Sequence, residues 1–426
     1  MTDNADSHTL DLADELLIDA EDAPSTAITE TTGPASRWLL AVSLVLIAFN
    51  LRPVFSSASA LLPEIRSELG LSALGTSLLT TIPVICLGLF SPLAPRLAQR
   101  IGAERALLFA VLLLATGTAL RGLSSLPLLF FGTALAGACI AIGNVLLPGL
   151  VKRDFPDRTA LMTGFYTMAL CAGAAGAAGL SLPVEKAFGG SLGAALAFWA
   201  LPAFVVALIW LPQALRSAKP AKGSGIRIEG LWRDRLAWQV TLFMGLQSAL
   251  AYCVFGWLVP ILRERGIDGV TAGVIVSVSV MVQSASCIVA PQIAVRGRDQ
   301  RFINVTLVAF AVVALLGLLF APLSTIWIWA VLQGIGQGGL IAVAMTAIVL
   351  RSPDSHVAAH LSGMAQFIGY LLAAIGPLLV GLIRSWTGSF SATALLFVAL
   401  GLGAAINGWG AGRLAHVNVR SVPTEK

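Results

Sequence analysis

Arg52 is the residue of this sequence whose chemistry most needs an explanation. It lies between Leu51 and Pro53, inside an apolar run from residue 38 to residue 62. A guanidinium remains charged at any pH that a protein meets. Placing one near the middle of a membrane-spanning helix costs about 2.5–3.5 kcal/mol on insertion scales. Such a residue is a functional-site candidate by default, and the first question is which group pairs with it.

The acidic residues do not supply a partner for Arg52 within the apolar segments. All 22 Asp and Glu residues can be placed outside those segments. An unpaired cation in a medium of low dielectric constant is costly, and a small anion entering a cavity would complete it with charge-assisted hydrogen bonds. We therefore predict that Arg52 binds an anionic or strongly dipolar substrate. The alternative is that Arg52 donates to backbone carbonyls that Pro53 leaves without a helical donor.

Polar residues near Arg52 in the sequence are further candidate ligands. On a continuous helix, Arg52, Ser56 and Ser59 would share one face. Asn50 would point about 200° away from Arg52 on the same helix. Asn50 is therefore either a substrate ligand or a brace for a neighbouring helix.

Later apolar segments contain more candidate substrate ligands. Gln366 and Tyr370 are one helical turn apart and are either ligands or groups that hydrogen-bond between helices. Gln247 and Tyr252 in the seventh apolar segment are similar candidates. Asn144, in the fourth segment, either faces a cavity or donates to a carbonyl freed by a nearby proline.

The elements that position these residues follow from the composition. Hydrophobic residues make up 57% of the chain and charged residues 12%, whereas soluble domains carry about a quarter charged residues. A membrane-spanning helix needs about 20 mostly apolar residues. We therefore predict an all-α polytopic membrane protein with twelve transmembrane helices, at residues 38–62, 74–95, 105–123, 127–151, 160–182, 193–212, 237–262, 270–293, 302–321, 325–350, 357–383 and 390–412.

The basic residues predict the orientation of these helices. With the N-terminus inside, 20 of the 27 Lys and Arg residues fall in interior segments and six, including Arg121, in exterior ones. Short cytoplasmic loops are enriched in Lys and Arg. We predict that both termini are cytoplasmic and that the protein is a multi-pass protein of the plasma membrane, the inner membrane in bacteria.

A basic loop divides the chain into two sets of six helices. The N-terminal tail contains nine acidic residues and no Lys or Arg, which favours a disordered segment. The predicted parts are an acidic cytoplasmic tail (1–36), an N-terminal six-helix half (37–212), a cytoplasmic linker (213–236), a C-terminal six-helix half (237–412) and a cytoplasmic tail (413–426).

The two halves also resemble one another in sequence. The stretch around Pro63, after the first segment, resembles the stretch around Pro260, near the end of the seventh. Matching the two prolines places Gln247 opposite Asn50. Repeated halves related by an axis along the membrane normal place the substrate site near the bilayer midplane, between the halves.

Several motifs identify a family that the chain resembles. They are Asn50–Pro53, Gly143–Pro148, Lys152–Pro156, Gly245–Ser248, Trp257-Leu258, Ser362–Tyr370 and Gly376-Pro377. With them, the chain resembles the major facilitator superfamily and, within it, the cyanate/2-nitroimidazole transporter family. The resemblance runs from residue 38 to residue 412 and implies the major facilitator fold. It also favours a ligand role for Gln366 and Tyr370, because the family carries the same pair.

One motif departs from the superfamily pattern. The signature G-x-x-x-D-R-x-G between the second and third helices has Gln99 where the acidic residue is expected. A gate that depends on that acidic residue is therefore in doubt. Arg100 is expected either to pair with Glu104 or to serve only as a topological anchor.

Together, these observations predict a secondary active or facilitative transporter that moves a small anionic or dipolar, cyanate-like solute by alternating access. We expect no enzymatic activity, cofactor, metal or nucleic-acid partner, and a chain that functions as a monomer in the lipid bilayer. Without a carboxylate or histidine at midplane, we expect facilitated diffusion, exchange, or coupling through the substrate's own protonation. The alternatives are efflux of nitroimidazole-like drugs and a transport-inactive membrane sensor.

Overall fold

The computed structural model describes residues 34–123, 125–155, 158–217, 226–297, 299–353 and 355–423. Within these residues, 12 helices are long and apolar enough to cross a membrane. The predicted number of spans is confirmed, and the chain is a multi-pass membrane protein. Residues 1–33 of the predicted acidic tail lie outside the described residues.

The elements follow one another with short connections. The helices are α1 (Pro34–Asn50), α2 (Pro53–Ala60), α3 (Leu62–Glu68), α4 (Ala73–Phe90), α5 (Leu93–Ile101), α6 (Ala103–Leu120), α7 (Leu126–Asp154), α8 (Thr159–Ala187), α9 (Leu192–Phe198), α10 (Ala200–Arg216), α11 (Arg235–Glu264), α12 (Gly269–Arg296), α13 (Arg301–Phe320), α14 (Ile326–Leu350), α15 (Ser355–Thr387) and α16 (Thr393–Ala411). Residues 41–426 form one compact unit, and residues 1–40 form the other. The described part of the second unit is the start of α1.

The first span is broken at Arg52. α1 ends at Asn50, and α2 begins at Pro53, with Arg52 as the residue that caps α2. Proline has no N–H to donate, and its ring collides with the carbonyl four residues earlier, so a helix tends to break before it. The break lies between Asn50 and Pro53, so the predicted rotation of Asn50 relative to Arg52, which assumed a continuous helix, does not apply. The common face of Arg52, Ser56 and Ser59 lies on the α2 side of the break and stays a prediction.

α8 lies directly against this break. A Cβ atom on Gly173 of α8 would overlap the carbonyl oxygen of Phe49 in the last turn of α1. Glycine has no Cβ, so the two backbones approach more closely here than any other residue would allow. This contact fixes the position of the chain just before Arg52.

Helices of the first six spans pack against helices of the last six. The pairs in contact are α2 with α11, α4 with α15 and α8 with α12. Arg263 of α11 forms an ion pair with Glu64 of α3, with a distance of 2.8 Å between Nη1 and Oε1. Nearby, a Cβ atom on Gly273 of α12 would overlap the carbonyl oxygen of Ala178 in α8. We call this region, defined by these four residues, the Glu64–Arg263 end; direct contacts close it.

At the opposite end of the bundle, an ion pair joins helices of the first six spans. Arg153 in the last turn of α7 pairs with Glu104 at the start of α6, with Nη2 and Oε1 2.6 Å apart. Glu104 also accepts a hydrogen bond from the hydroxyl of Ser217 at 2.7 Å. The proposed pairing of Arg100 with Glu104 is therefore wrong, because Arg153 occupies that carboxylate.

A two-stranded antiparallel sheet is the exception to the helical fold. β1 (Ile226–Glu229) pairs with β2 (Arg420–Pro423), and Ile226 lies opposite Pro423. The backbone N–H of Asn418 donates to Oδ2 of Asp234 at 3.1 Å. The segment predicted as a linker is thus bound, over its described second half, to the C-terminal segment.

Candidate functional site

Arg52 is partly exposed, although Leu51 and Pro53 on either side of it are buried. Its guanidinium points at α11: Nη1 donates to the hydroxyl of Tyr252 at 3.4 Å. The guanidinium carbon lies 5.6 Å from the centroid of the Phe255 ring. The described hydrogen bond of Arg52 thus goes to another span, and not to a carbonyl freed by Pro53.

Four rings surround the contact between Arg52 and α11. We call Phe55, Tyr252, Phe255 and Tyr370 the aromatic cluster. The Tyr252 centroid is 5.5 Å from that of Phe55 and 6.2 Å from those of Phe255 and Tyr370. The rings come from α2, α11 and α15, so the first, seventh and eleventh spans meet here. Aromatic faces attract cations and also stack on planar ligands.

No carboxylate neutralises Arg52 within the described part of the chain. The ion pairs there involve Arg153, Arg263, Arg301 and Arg384. The groups that interact electrostatically with Arg52 are the phenols of Tyr252 and Tyr370 and the thiol of Cys171. These groups are neutral in their usual state near pH 7. The site therefore carries a net positive charge.

The start of α2 adds to this positive charge. Arg52 occupies the N-cap position of α2, and its side chain makes no capping hydrogen bond. The free N–H groups at a helix N-terminus act as about half a positive elementary charge. In transporters, interrupted helices often direct such N-termini at anionic substrate groups. The break between α1 and α2 and the positive charge of Arg52 thus lie at the same point of the chain.

Three other predicted ligands lie near the break, but without a described contact to Arg52. Asn50 is 3% exposed, and its Nδ2 donates to a carbonyl of its own helix at 2.8 Å. Ser56 is 2% exposed, and its hydroxyl has no described partner. Asn144 follows Gly143, whose Cβ would lie 2.9 Å from Cδ2 of Leu51. Asn144 is therefore beside the break, with its buried Nδ2 unpaired among the described residues.

Gln247 does not lie with Arg52. It is 0% exposed, its Nε2 donates to the hydroxyl of Ser248 at 2.9 Å, and its Oε1 accepts from Nε2 of Gln337 at 3.3 Å. Gln337 belongs to α14, so Gln247 joins α11 to α14. Five residues separate Gln247 from Tyr252, which turns them about 140° apart on the helix. The structure therefore separates these two predicted ligands.

Gln366 and Tyr370 lie on α15 at the predicted spacing. Tyr370 is 5% exposed and belongs to the aromatic cluster. Gln366 is partly exposed, and its Nε2 donates to the hydroxyl of Ser362 at 3.0 Å. Tyr370 thus joins Tyr252 and Arg52, while Gln366 lies one turn away and is bonded within its own helix.

The structure adds residues that the sequence did not single out. Phe55 and Phe255 complete the aromatic cluster, each three residues after Arg52 or Tyr252. The thiols of Cys171 and Cys287, on α8 and α12, lie within electrostatic range of the guanidinium. The spacing of three residues was the available signal for the two rings, because such residues share a helix face.

Comparisons with known proteins agree on the class of this chain. The model of the Major Facilitator Superfamily matches residues 38–332. The chain is 40% identical to the 2-nitroimidazole transporter of Escherichia coli (strain K12) over 89% of this chain and 96% of the relative. It is 28% identical to the cyanate transport protein CynX of the same organism, over 82% and 90%. The crystal structure of the D-xylose-proton symporter shares the fold, with a TM-score of 0.69, 12% identity and coverage of 88% and 98%.

Proposed function

The chain belongs to the cyanate/2-nitroimidazole transporter family of the major facilitator superfamily; we propose that its substrate is a small anionic or strongly dipolar solute. Cyanate represents this class, and Arg52 is the proposed ligand. That the protein transports small solutes follows from the family itself. A transport-inactive sensor is not favoured, because full-length relatives are named as transporters.

One observation carries this proposal: Arg52 is a partly exposed cation with no carboxylate partner among the described residues. Removing one member of a buried ion pair costs about 3–5 kcal/mol, because the other charge is left without compensation. Arg52 is in that situation until an anion arrives. The substrate would thus supply the counter-charge that the chain omits.

The groups around Arg52 suit a small planar or linear ligand. The guanidinium offers parallel N–H donors that match the two oxygens of a carboxylate or nitro group, and the terminal atom of cyanate can accept a charge-assisted hydrogen bond from them. The hydroxyl of Tyr252, 3.4 Å from Nη1 of Arg52, is a second donor on the same side. The four members of the aromatic cluster are uncharged. Selectivity would therefore depend on the positive charge of Arg52 and on the shape of the site.

Access to this site would alternate between the two sides of the membrane. The Glu64–Arg263 end is closed by an ion pair and by the contact of Gly273 with Ala178. Arg52 itself is partly exposed. We propose that opening this end and closing the other presents Arg52 to the opposite solution, by rocking of the two six-helix halves.

Thermal unfolding of the purified protein tests the substrate class. We expect freshly prepared cyanate and nitrate to raise the unfolding midpoint, because a ligand at 100 times its Kd stabilises the native state by about 2.7 kcal/mol. Imidazole, which lacks a nitro group, should have no effect, and 2-nitroimidazole reports on the drug-efflux alternative. The same titrations with Arg52→Gln should give a clearly smaller rise. Equal stabilisation of the wild type and Arg52→Gln would refute the assignment of Arg52 as the ligand.

The orientation and assembly are also proposed. The excess of Lys and Arg in alternate loops favours cytoplasmic termini in the plasma membrane, the inner membrane in bacteria. The first, seventh and eleventh spans of one chain meet at Arg52. We therefore propose that a monomer contains the complete substrate site. A fluorescent protein that matures only in the cytoplasm should fluoresce when it is fused after Lys426. A full-length fusion that does not fluoresce would contradict the proposed cytoplasmic C-terminus.

A further inference from the structure

Arg121 is a second buried cation, separate from Arg52. It follows α6 directly and is 1% exposed, and its guanidinium stays charged at neutral pH. The sequence placed it among the exterior loop arginines, and its burial corrects that expectation. Its Nη1 donates to the hydroxyl of Ser57 on α2 at 3.5 Å. Its Nε and Nη2 have no partner among the described residues.

A comparison with Arg351 shows that this lack of partners is unusual. Arg351 is 2% exposed, and its Nε donates to the carbonyl of Ala411 at 2.8 Å, while its Nη2 donates to Oε1 of Gln300. The fold thus satisfies one buried guanidinium with protein oxygens. Around Arg121, the described residues supply one hydroxyl for three nitrogen atoms and no carboxylate.

The surroundings of Arg121 are narrow, and a second buried hydroxyl lies one residue further along α7. A Cβ atom on Gly132 of α7 would lie 3.2 Å from Cγ of Arg121. Thr133, the next residue, is 0% exposed, and its hydroxyl has no described partner. A Cβ atom on Gly117 of α6 would lie 2.8 Å from the carbonyl oxygen of Gly132, so α6 and α7 are nearly in backbone contact. Such packing would admit a small ligand only.

We propose that Arg121, with the hydroxyls of Ser57 and Thr133, binds a small monovalent anion such as chloride within the first six spans. One positive charge balances one negative charge, and charge-assisted hydrogen bonds would satisfy the free donors. Ser57 lies on α2, which starts next to Arg52. The anion would therefore tie α2 to α6 and α7 and hold the interrupted first span in place. This inference does not depend on the substrate proposed for Arg52.

Chloride titration in the Arg52→Gln protein tests the inference, because that variant lacks the cation of the proposed substrate site. In sodium gluconate, we expect the unfolding midpoint to rise with the logarithm of chloride concentration. Arg121→Gln on the same background should abolish this rise. Thr133→Val, which keeps the shape and loses the hydroxyl, should weaken chloride binding by about tenfold, the equivalent of 1.4 kcal/mol. Thr241→Val is the matched control, since Thr241 is also 0% exposed with an unpaired hydroxyl.

The outcomes separate the sources of the anion. If cyanate stabilises Arg52→Gln more strongly than chloride does, the Arg121 site is a second binding site for the substrate. If cyanate stabilises it equally or less, the Arg121 site is a structural chloride site. If Arg121→Gln does not fold, the contrast between Thr133→Val and Thr241→Val decides. The proposal would be overturned if the unfolding midpoint of Arg52→Gln did not change with chloride concentration. It would also be overturned if Thr133→Val and Thr241→Val responded equally to chloride.

Discussion

Arg52→Gln is expected to reduce substrate uptake by at least about 100-fold, while the protein still inserts and folds. The estimate follows from the about 3–5 kcal/mol lost when a buried charge pair is broken, at 1.4 kcal/mol for each tenfold change. Here the pair is Arg52 with the anion, so the loss falls on substrate binding. Uptake of labelled cyanate into proteoliposomes without an imposed proton gradient is the measurement, and wild-type uptake should proceed there.

Two further variants make the result specific. Arg52→Lys keeps the charge but loses the planar fork of donors, so it should recover only part of the uptake. Arg66→Gln removes an exposed arginine of α3 and should transport like the wild type. Normal uptake by Arg52→Gln would end the anion-site hypothesis, and wild-type uptake that needs a proton gradient would contradict the absence of proton coupling.

The sequence identified Arg52 and the spans because both depend on simple physical quantities. A span needs a minimum apolar length, and a charge inside one needs a partner, so counting residues was sufficient. Tyr252 and Tyr370 were found because their polar hydroxyls stand out in apolar helices. Phe55 and Phe255 were missed because an aromatic ring in an apolar helix has no such contrast.

Rotation about the helix axis was harder to predict than position along it. Matching Pro63 with Pro260 aligned two stretches in sequence, but it did not specify which face of α11 carries Gln247. The hydrogen bond between Gln337 and Gln247 shows that this face meets α14. The break before Pro53 similarly removed the assumed rotation of Asn50 relative to Arg52. The pair of Arg153 with Glu104 depends on the packing of α7 on α6, which no local pattern reveals.

Gly273→Leu is expected to favour the state in which the Glu64–Arg263 end is open, and to reduce net transport by about fivefold or more. Any Cβ at this position overlaps the carbonyl oxygen of Ala178, so α12 and α8 must separate to admit a side chain. Overpacking costs about 1–3 kcal/mol, and that cost applies only to the closed state. At 1.4 kcal/mol for each tenfold change, the ratio of the closed to the open state falls by about 5-fold to 140-fold. A transporter that must close this end once per cycle then slows in proportion.

The native thiols near Arg52 report the shift directly. Cys171 and Cys287 are partly exposed and lie on α8 and α12, the two helices that the contact of Gly273 with Ala178 joins. A membrane-impermeant maleimide applied from the side of Glu64 and Arg263 should label them faster in Gly273→Leu than in the wild type. Gly149→Leu is the matched control, because a Cβ atom on Gly149 meets nothing within 4 Å. If Gly273→Leu and Gly149→Leu label and transport alike, the contact of α12 with α8 is packing alone, and the gate must lie elsewhere.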